Sequence, residues 1–324
     1  MMAPLRGWTR LPSFASLVTV GLLIVLMAAG ALAYPGFLSV QVLCNLMIDN
    51  AYLLVVAIGM SFVILSGGID LSVGSVLALS TIVAAWLLQV AHWPPVAVIV
   101  CVLMLGAGFG GAMGALIHYF KLQPFIVTLA GMFLARGLCY LISIDAITID
   151  DPLFVTMSRS QLVLPGGFIS PGAAIALAVL AIAAWLAHYS AFGRAVYAIG
   201  GNEQSALMMG LPVARTKVMV YAFSGLCAAL GGMLFAFYML SGYALHAQGA
   251  ELDAIAAVVI GGTLLAGGYG YVAGALSGVL VLGTIQTLIA FDGTLSSWWT
   301  KIVIGALLFV FCVVQRVLTG GTKI

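Results

Sequence analysis

Charge is what this sequence has least of. Asp, Glu, Lys and Arg make up 6% of its 324 residues, against about a quarter in an ordinary soluble domain. That excludes a water-soluble globular fold, and no nucleic-acid partner is expected. Catalytic patterns are missing as well. There is no H-E-x-x-H and no cluster of His, Cys and carboxylate at metal-ligand spacing, so neither an enzyme nor a metal site is expected. His92, His118, His188 and His246 are scattered near the ends of apolar runs, where an interfacial position explains them. No G-x-x-x-x-G-K-[ST] occurs, so the chain has no P-loop for ATP and needs no cofactor of its own. Cys44, Cys101, Cys139, Cys227 and Cys312 are odd in number and sit mostly in apolar runs, which reads as small buried hydrophobes rather than a disulfide framework.

What is present is hydrocarbon. Apolar residues reach 64% and the mean hydropathy is +1.24. Runs of about 20 apolar residues mark a polytopic helical membrane protein. The predicted class is all-α, one domain over residues 1–324, with about ten spans near 13–33, 48–66, 71–91, 95–119, 124–143, 171–188, 218–240, 254–269, 271–290 and 299–317. Glycine interrupts the eighth, and the mixed segment 34–48 reads as an interfacial helix. The N-terminal run, with Ala31-Leu32-Ala33 after it, resembles a secretory leader, but its length and the spans that follow favour an uncleaved first helix.

Basic residues set the orientation. With the N-terminus inside, Arg6, Arg10, Lys121, Arg194, Arg215, Lys217, Arg316 and Lys323 all fall in the cytoplasm, leaving Arg159 and Lys301 outside. Both termini are then cytoplasmic. Most acids fall on the outer side: Asp49, Asp145, Asp150, Asp151, Glu251, Asp253 and Asp292. They form either a rim that receives a basic partner or acids merely tolerated there.

Glycine suggests two halves. Gly106, Gly110 and Gly114 recur every four residues, as do Gly270, Gly274 and Gly278. Gly67-Gly68 with Gly74 matches Gly261-Gly262 with Gly268 in spacing. Features five spans apart have opposite senses in a bilayer, so spans 2–5 and 7–10 read as an inverted repeat whose small residues let helices approach closely.

Three polar features interrupt the hydrocarbon. The island from Ser190 to Lys217 holds Arg194, Glu203, Arg215 and Lys217 and a Gly200-Gly201-Asn202 break. Asn202 is placed to cap a short helix, Glu203 to Met209, ended by Gly210 and Pro212. It is either a docking element for a soluble partner or an ordinary connection. The second feature, Ser66 to Ser75, carries Asp70 and Ser72, either helix-capping residues or part of a conduction path. Arg136, in the fifth span on a sparse polar face with Gln123 and Thr128, either snorkels outward or faces the path or a buried acid. No buried series of acids and histidines suggests a proton relay. Active transport would therefore draw its energy from another polypeptide.

Three stretches together resemble the ribose/xylose-type sugar permeases of bacterial ABC importers: Ile64 to Ser75, Phe192 to Glu203, and Glu251 to Thr263. The resemblance covers essentially the whole chain. Phe291 to Lys301 is similar, more narrowly, to galactofuranose-importing members. The resemblance implies an inner-membrane protein that works with a cytoplasmic ABC ATPase, which binds the ATP, with a periplasmic sugar-binding protein, and with a second, homologous permease in a heterodimer. It places the ATPase-coupling region at Gly200 to Gly210, flanked by Arg194 and Arg215. It marks Gly67, Gly68, Asp70, Ser72, Gly74, Gly261, Gly262 and Gly268 as helix breaks and seams along the path, to which the residues themselves add Thr128 and Arg136. Asp145, Asp150, Asp151, Glu251 and Asp253 are the expected docking rim for the binding protein.

Overall fold

Long apolar runs leave the backbone no hydrogen-bonding partner but itself, so they fold as helices. The computed structural model describes residues 13–319 apart from Ser297, without the side chains of 13–16 and 314–319. Arg6, Arg10, Lys323 and the side chain of Arg316, used above for orientation, lie outside the described residues.

In chain order, α1 (Ser13–Ala33) leads to α2 (Val40–Asp49), α3 (Ala51–Leu65), α4 (Val73–Gln89), α5 (Pro95–Tyr119) and α6 (Pro124–Ile142). A small lobe follows: β1 (Ile147–Thr148), α7 (Pro152–Arg159), β2 (Leu162–Leu164) and β3 (Gly167–Ile169). Then come α8 (Pro171–Tyr189), α9 (Ala191–Gly201), α10 (Glu203–Met208), α11 (Val213–Met239), β4 (Ser241–Gly242), α12 (Ala250–Ile260), α13 (Gly274–Asp292) and α14 (Trp298–Thr319). Local chemistry sets many of these starts. Pro95, Pro124, Pro152 and Pro171 sit in the first turn of α5 to α8, where a missing N–H costs nothing. Asp151, Ser170, Ser190 and Asn202 cap α7 to α10 with their side-chain oxygens.

Of these, α5, α6, α8, α11 and α13 are long and apolar enough to cross a bilayer. The pair α2 and α3, bent by 56° at Asn50, makes a sixth, and α1, α4 and α14 carry shorter apolar stretches. The chain is an all-α polytopic membrane protein. Two expectations need correction. The predicted eighth span, 254–269, is the half-length helix α12, 11 residues long, or about 16 Å. Gly261-Gly262 end it, and the turns that follow run through Gly262, Gly267, Gly268 and Gly270, at φ of +101°, +83°, +72° and +143°. Only glycine enters that region freely. The ninth span consequently begins at Gly274.

The inverted repeat is visible in helix pairing. Exchange α3, α4, α5 and α6 for α11, α12, α13 and α14, and each contact finds its counterpart. Thus α4 packs on α5, α6 and α11, while α12 packs on α13, α14 and α3; α5 packs on α11 as α13 does on α3. The glycine correspondence is corrected, however. Gly106, Gly110 and Gly114 face Gly225, Tyr221 and Val218 of α11, whereas Gly274 and Gly278 face Gly261 and Ala257 at the end of α12. Nor does Gly261-Gly262, which ends α12, answer to Gly67-Gly68, which precedes α4. Under the exchange, the counterpart of that break is the 240–249 connection.

The centre of the molecule is α11, packed on α3, α4 and α5. Gly106 and Gly225 lie backbone to backbone at the α5–α11 crossing, an approach that yields packing energy where no hydrophobic effect operates. Cys44, Cys139 and Cys227 are buried and unpaired, as expected. The first helix packs against α13 and α12.

Candidate functional site

Three glycine segments that are far apart in sequence meet at one end of the bundle. That end also carries Lys121, Arg194, Arg215 and Lys217 and is called the basic end below. Beyond Leu65, the chain turns through Gly67 at φ +81°, and beyond α12 it turns through Gly267 and Gly268. The Gly268 N–H donates to the Leu65 carbonyl at 2.9 Å, tying the two turns together. The last turn of α9 lies against both. A Cβ on Gly200 would collide with the Leu65 carbonyl and stand 2.5 Å from the Gly268 nitrogen. A Cβ on Gly268 would be 2.6 Å from the Gly201 nitrogen, and one on Gly267 would be 2.8 Å from Gly67. One α9 turn above, the Tyr197 hydroxyl donates to the Gly270 carbonyl at 2.9 Å. Gly200 and Gly201 are helical, so of the predicted Gly200-Gly201-Asn202 break only Asn202 interrupts the helix.

From Asn202 the chain enters α10, as its capping chemistry predicts. Asn202 Oδ1 accepts from the Ser205 N–H at 2.8 Å, and Gly210 leaves the helix at φ +76°. Glu203 accepts from Lys217 at 2.6 Å across the turn. Leu207, Met208 and Met209 stand 64%, 81% and 67% exposed. Beside them a groove of about 480 Å³ runs between α10 and the α5–α6 connection, with His118, Lys121, Glu203 and Lys217 on its walls. Arg194 and Arg215 are exposed on the same end.

Deeper in, Asp70 is fully buried and fully employed. Its Oδ1 accepts from the Ser72 N–H at 3.0 Å and the Ser72 hydroxyl at 2.6 Å; Oδ2 accepts from the Ser224 hydroxyl on α11 at 2.8 Å. Neither residue caps α4 as expected: Ser72 is its N-cap residue, but its hydroxyl donates to Asp70 and makes no capping bond, so Asp70 is a local anchor that Ser224 ties to α11. The Tyr221 ring reaches Gly68 with its hydroxyl. Thr128 of α6, also buried, donates to Pro124 of its own helix at 2.9 Å and to Ile69 at 3.3 Å.

Farther from the basic end two charged side chains are turned inward. Arg136 does not snorkel outward: its Nη1 donates to the Ala244 carbonyl and, at 3.0 Å, to that of His246. Glu251 is not on a rim either. Its Oε2 is buried against Gly74 at the start of α4, while the residue as a whole is half-buried. The His246 ring, held below its usual pKa first by burial and then by Arg136, stands 3.4 Å from the Thr81 hydroxyl. Asp145 and Asp150 are exposed, Asp151 caps α7, and Asp253 pairs with Lys301 at 2.6 Å.

Sequence reasoning missed Leu65, Tyr197, Tyr221 and Ser224, and the carbonyls of Ala244 and His246. Only Ser224, a hydroxyl in mid-span, carried a readable signal. Among the described residues no group of His, Cys, Asp and Glu could hold a metal ion. The glycine junction links an exposed helix to two broken helices.

Comparison with known proteins agrees with that reading. Residues 42–312 match the family described as branched-chain amino acid transport system, permease component. The chain is 49% identical over 304 residues to the inner membrane ABC transporter permease protein YjfF of Escherichia coli, covering 94% of this chain and 92% of that one. It is 38% identical to the fructose import permease protein FruG of Bifidobacterium longum, over 99% and 97% of the two chains. With the ribose import permease protein RbsC of Bacillus subtilis it shares 39% identity over 91% and 90%. No solved structure matches the chain.

Proposed function

The chain belongs to the family of branched-chain amino acid transport system permease components, and from that premise we propose that it is the membrane subunit of an ATP-driven monosaccharide importer. The sugar comes from the relatives, whose printed names are fructose and ribose import permeases. Galactofuranose is the first candidate, on the segment Phe291 to Lys301. Ribose, xylose or fructose is the alternative. The protein lies in the bacterial inner membrane with its basic end and both termini in the cytoplasm. A cytoplasmic ABC ATPase binds the ATP, and this chain holds no cofactor. A second, homologous permease completes the membrane unit, and a periplasmic sugar-binding protein docks over Asp145, Asp150, Asp151 and Asp253.

The observation that carries the reading is the glycine junction. An ATPase gripping α10 through Leu207, Met208 and Met209 pushes on α9, and the end of α9 rests directly on Leu65 and Gly268. Those residues precede α4 and α13, so a displacement of about an ångström reaches the core of both repeats. Close-packed backbones transmit such a shift rather than absorb it. The two repeats then rock and open the path to alternate sides. ATP can drive this only if its binding changes the ATPase contacts with α10 between the two states.

The test is uptake by proteoliposomes holding this chain, its ATPase and the second permease, with the loaded binding protein outside. Labelled sugar is expected to accumulate only with ATP on the ATPase side, and to do so unchanged when ionophores collapse all ion gradients. Uptake by this chain alone, abolished by ionophores, would instead establish an ion-coupled secondary transporter.

A further inference from the structure

Arg136 is the thirteenth of the 19 residues of α6, counted from the end nearer the coupling helix. On α6, it holds the backbone of the 240–249 connection by the carbonyls of Ala244 and His246. That connection is not relaxed. Leu240 and Ala247 take φ of +48° and +53°, and neither is glycine. Left-handed backbone at side-chain-bearing residues persists only where the surroundings enforce it.

A second tie runs between the same two elements. The chain leaving α6 forms β1, which pairs antiparallel with β4 at the start of the connection, Thr148 opposite Ser241. The Ile149 N–H donates to the Leu240 carbonyl at 2.8 Å. The connection is thus tied at its start to the chain that leaves α6 and at its middle to α6 itself. Its far side meets α4: Gly242 lies against the Thr81 backbone, and Glu251, just beyond, is buried against Gly74.

We propose that Arg136 is a positioning residue that latches the 240–249 connection to α6, so that α6, β1 and this connection move as one body over α4 and form the outer gate. The inference rests on the importer reading for what the gate admits, but not for the latch itself. A guanidinium suits the task. It stays charged at any working pH and offers a planar set of donors to two carbonyls at once. A hinge held this way moves as a unit or not at all, which is how a gate on a packed helix switches between two states.

Two experiments test it, in the assembled complex with the native cysteines replaced by alanine. The first joins the paired strands by oxidising the double variant Thr148→Cys/Ser241→Cys. If α6 and the connection move together, the cross-link leaves ATP-driven uptake within a factor of about two of the reduced sample, a difference below the usual size of a coupling term. A cross-link that stops uptake, with recovery on reduction, means the strands part during the cycle and overturns the proposal. The second compares Arg136→Met with Arg136→Lys. Labelling of Thr81→Cys by an impermeant maleimide from the outer side is expected to rise several-fold in the methionine variant and to return towards the parent level with lysine. Uptake falls about tenfold in the same variant, the size expected for a lost coupling contact. Unchanged labelling and uptake in Arg136→Met would overturn the latch. The labelling arm needs no transport, so an inactive parent complex would count against the importer reading alone.

Discussion

Gly200 and Gly201 are chemically identical neighbours in one helix turn with opposite surroundings. Nothing stands within 4 Å of where a Cβ on Gly201 would be, whereas one on Gly200 would enter the Leu65 carbonyl. Alanine at 201 should be neutral or stabilise by up to about 1 kcal/mol, because it lowers the backbone entropy of the unfolded chain. Alanine at 200 must separate backbones that cannot move singly, at a cost of about 1–3 kcal/mol. Thermal unfolding of the purified protein in detergent therefore separates them, with a lowered Tm for Gly200→Ala alone. Equal effects would remove close approach as the reason for glycine at 200. Asp70 is a different case at the same scale: its three accepted hydrogen bonds make it a strut between the start of α4 and α11. Ser224, the far partner, lies 154 residues away, so a local reading of the sequence places Asp70 beside the start of α4 and misses the tie to α11.

At the scale of the element, α10 is held by the Asn202 cap, by buried Ala206 packed with Ile199 and Val213, and by one ion pair, Glu203 with Lys217. Glu203 is 49% exposed and Lys217 18%, so the pair contributes about 0–1 kcal/mol to stability. Its consequence is directional rather than energetic, since it draws α10 onto α11. Glu203→Lys places two lysines face to face and should lower sugar-stimulated ATPase activity of the complex while leaving assembly in the membrane intact. Adding Lys217→Glu restores the pair in reverse and should restore the activity. No rescue by the double variant would mean that Glu203 touches the ATPase itself. This helix was legible in advance because a cap, a turn of helix formers and a Gly-x-Pro stop are all local signals. The half-length α12 was not. Its apolar run continues to residue 269, and only the left-handed turns at Gly262, Gly267 and Gly268 show where the helix ends. Seams are harder still: the spacing of Gly106, Gly110 and Gly114 announces a close approach but not that α11 is what approaches. The inward turn of Arg136 was only one of the readings its place in a span allowed, and that of Glu251 had no local signal, for their partners are a backbone and a helix start brought in from elsewhere.

For the molecule as a whole, the repeat and the two ends make a single demand on topology. The exchange of α3–α6 for α11–α14 relates segments five spans apart, which run in opposite senses only if an odd number of crossings separates each pair. Then Lys121, Arg194, Arg215 and Lys217 must share one side of the membrane, and the α7 lobe with Asp145 and Asp150 must share the other. The groove that brings Lys121 together with Glu203 and Lys217 satisfies the first condition within the fold. Which side faces the cell interior follows from the preference of basic loops for the cytoplasm. With the native cysteines replaced, a cysteine at exposed Asp145 should react with an impermeant maleimide in intact spheroplasts. A cysteine at Gln204, on α10, should react only once the membrane is opened. Reversal of that pattern would put the coupling helix outside, out of reach of any nucleotide. Reaction of both cysteines in intact cells would mean an odd number of helices between them fails to cross, and the inverted repeat would go with it.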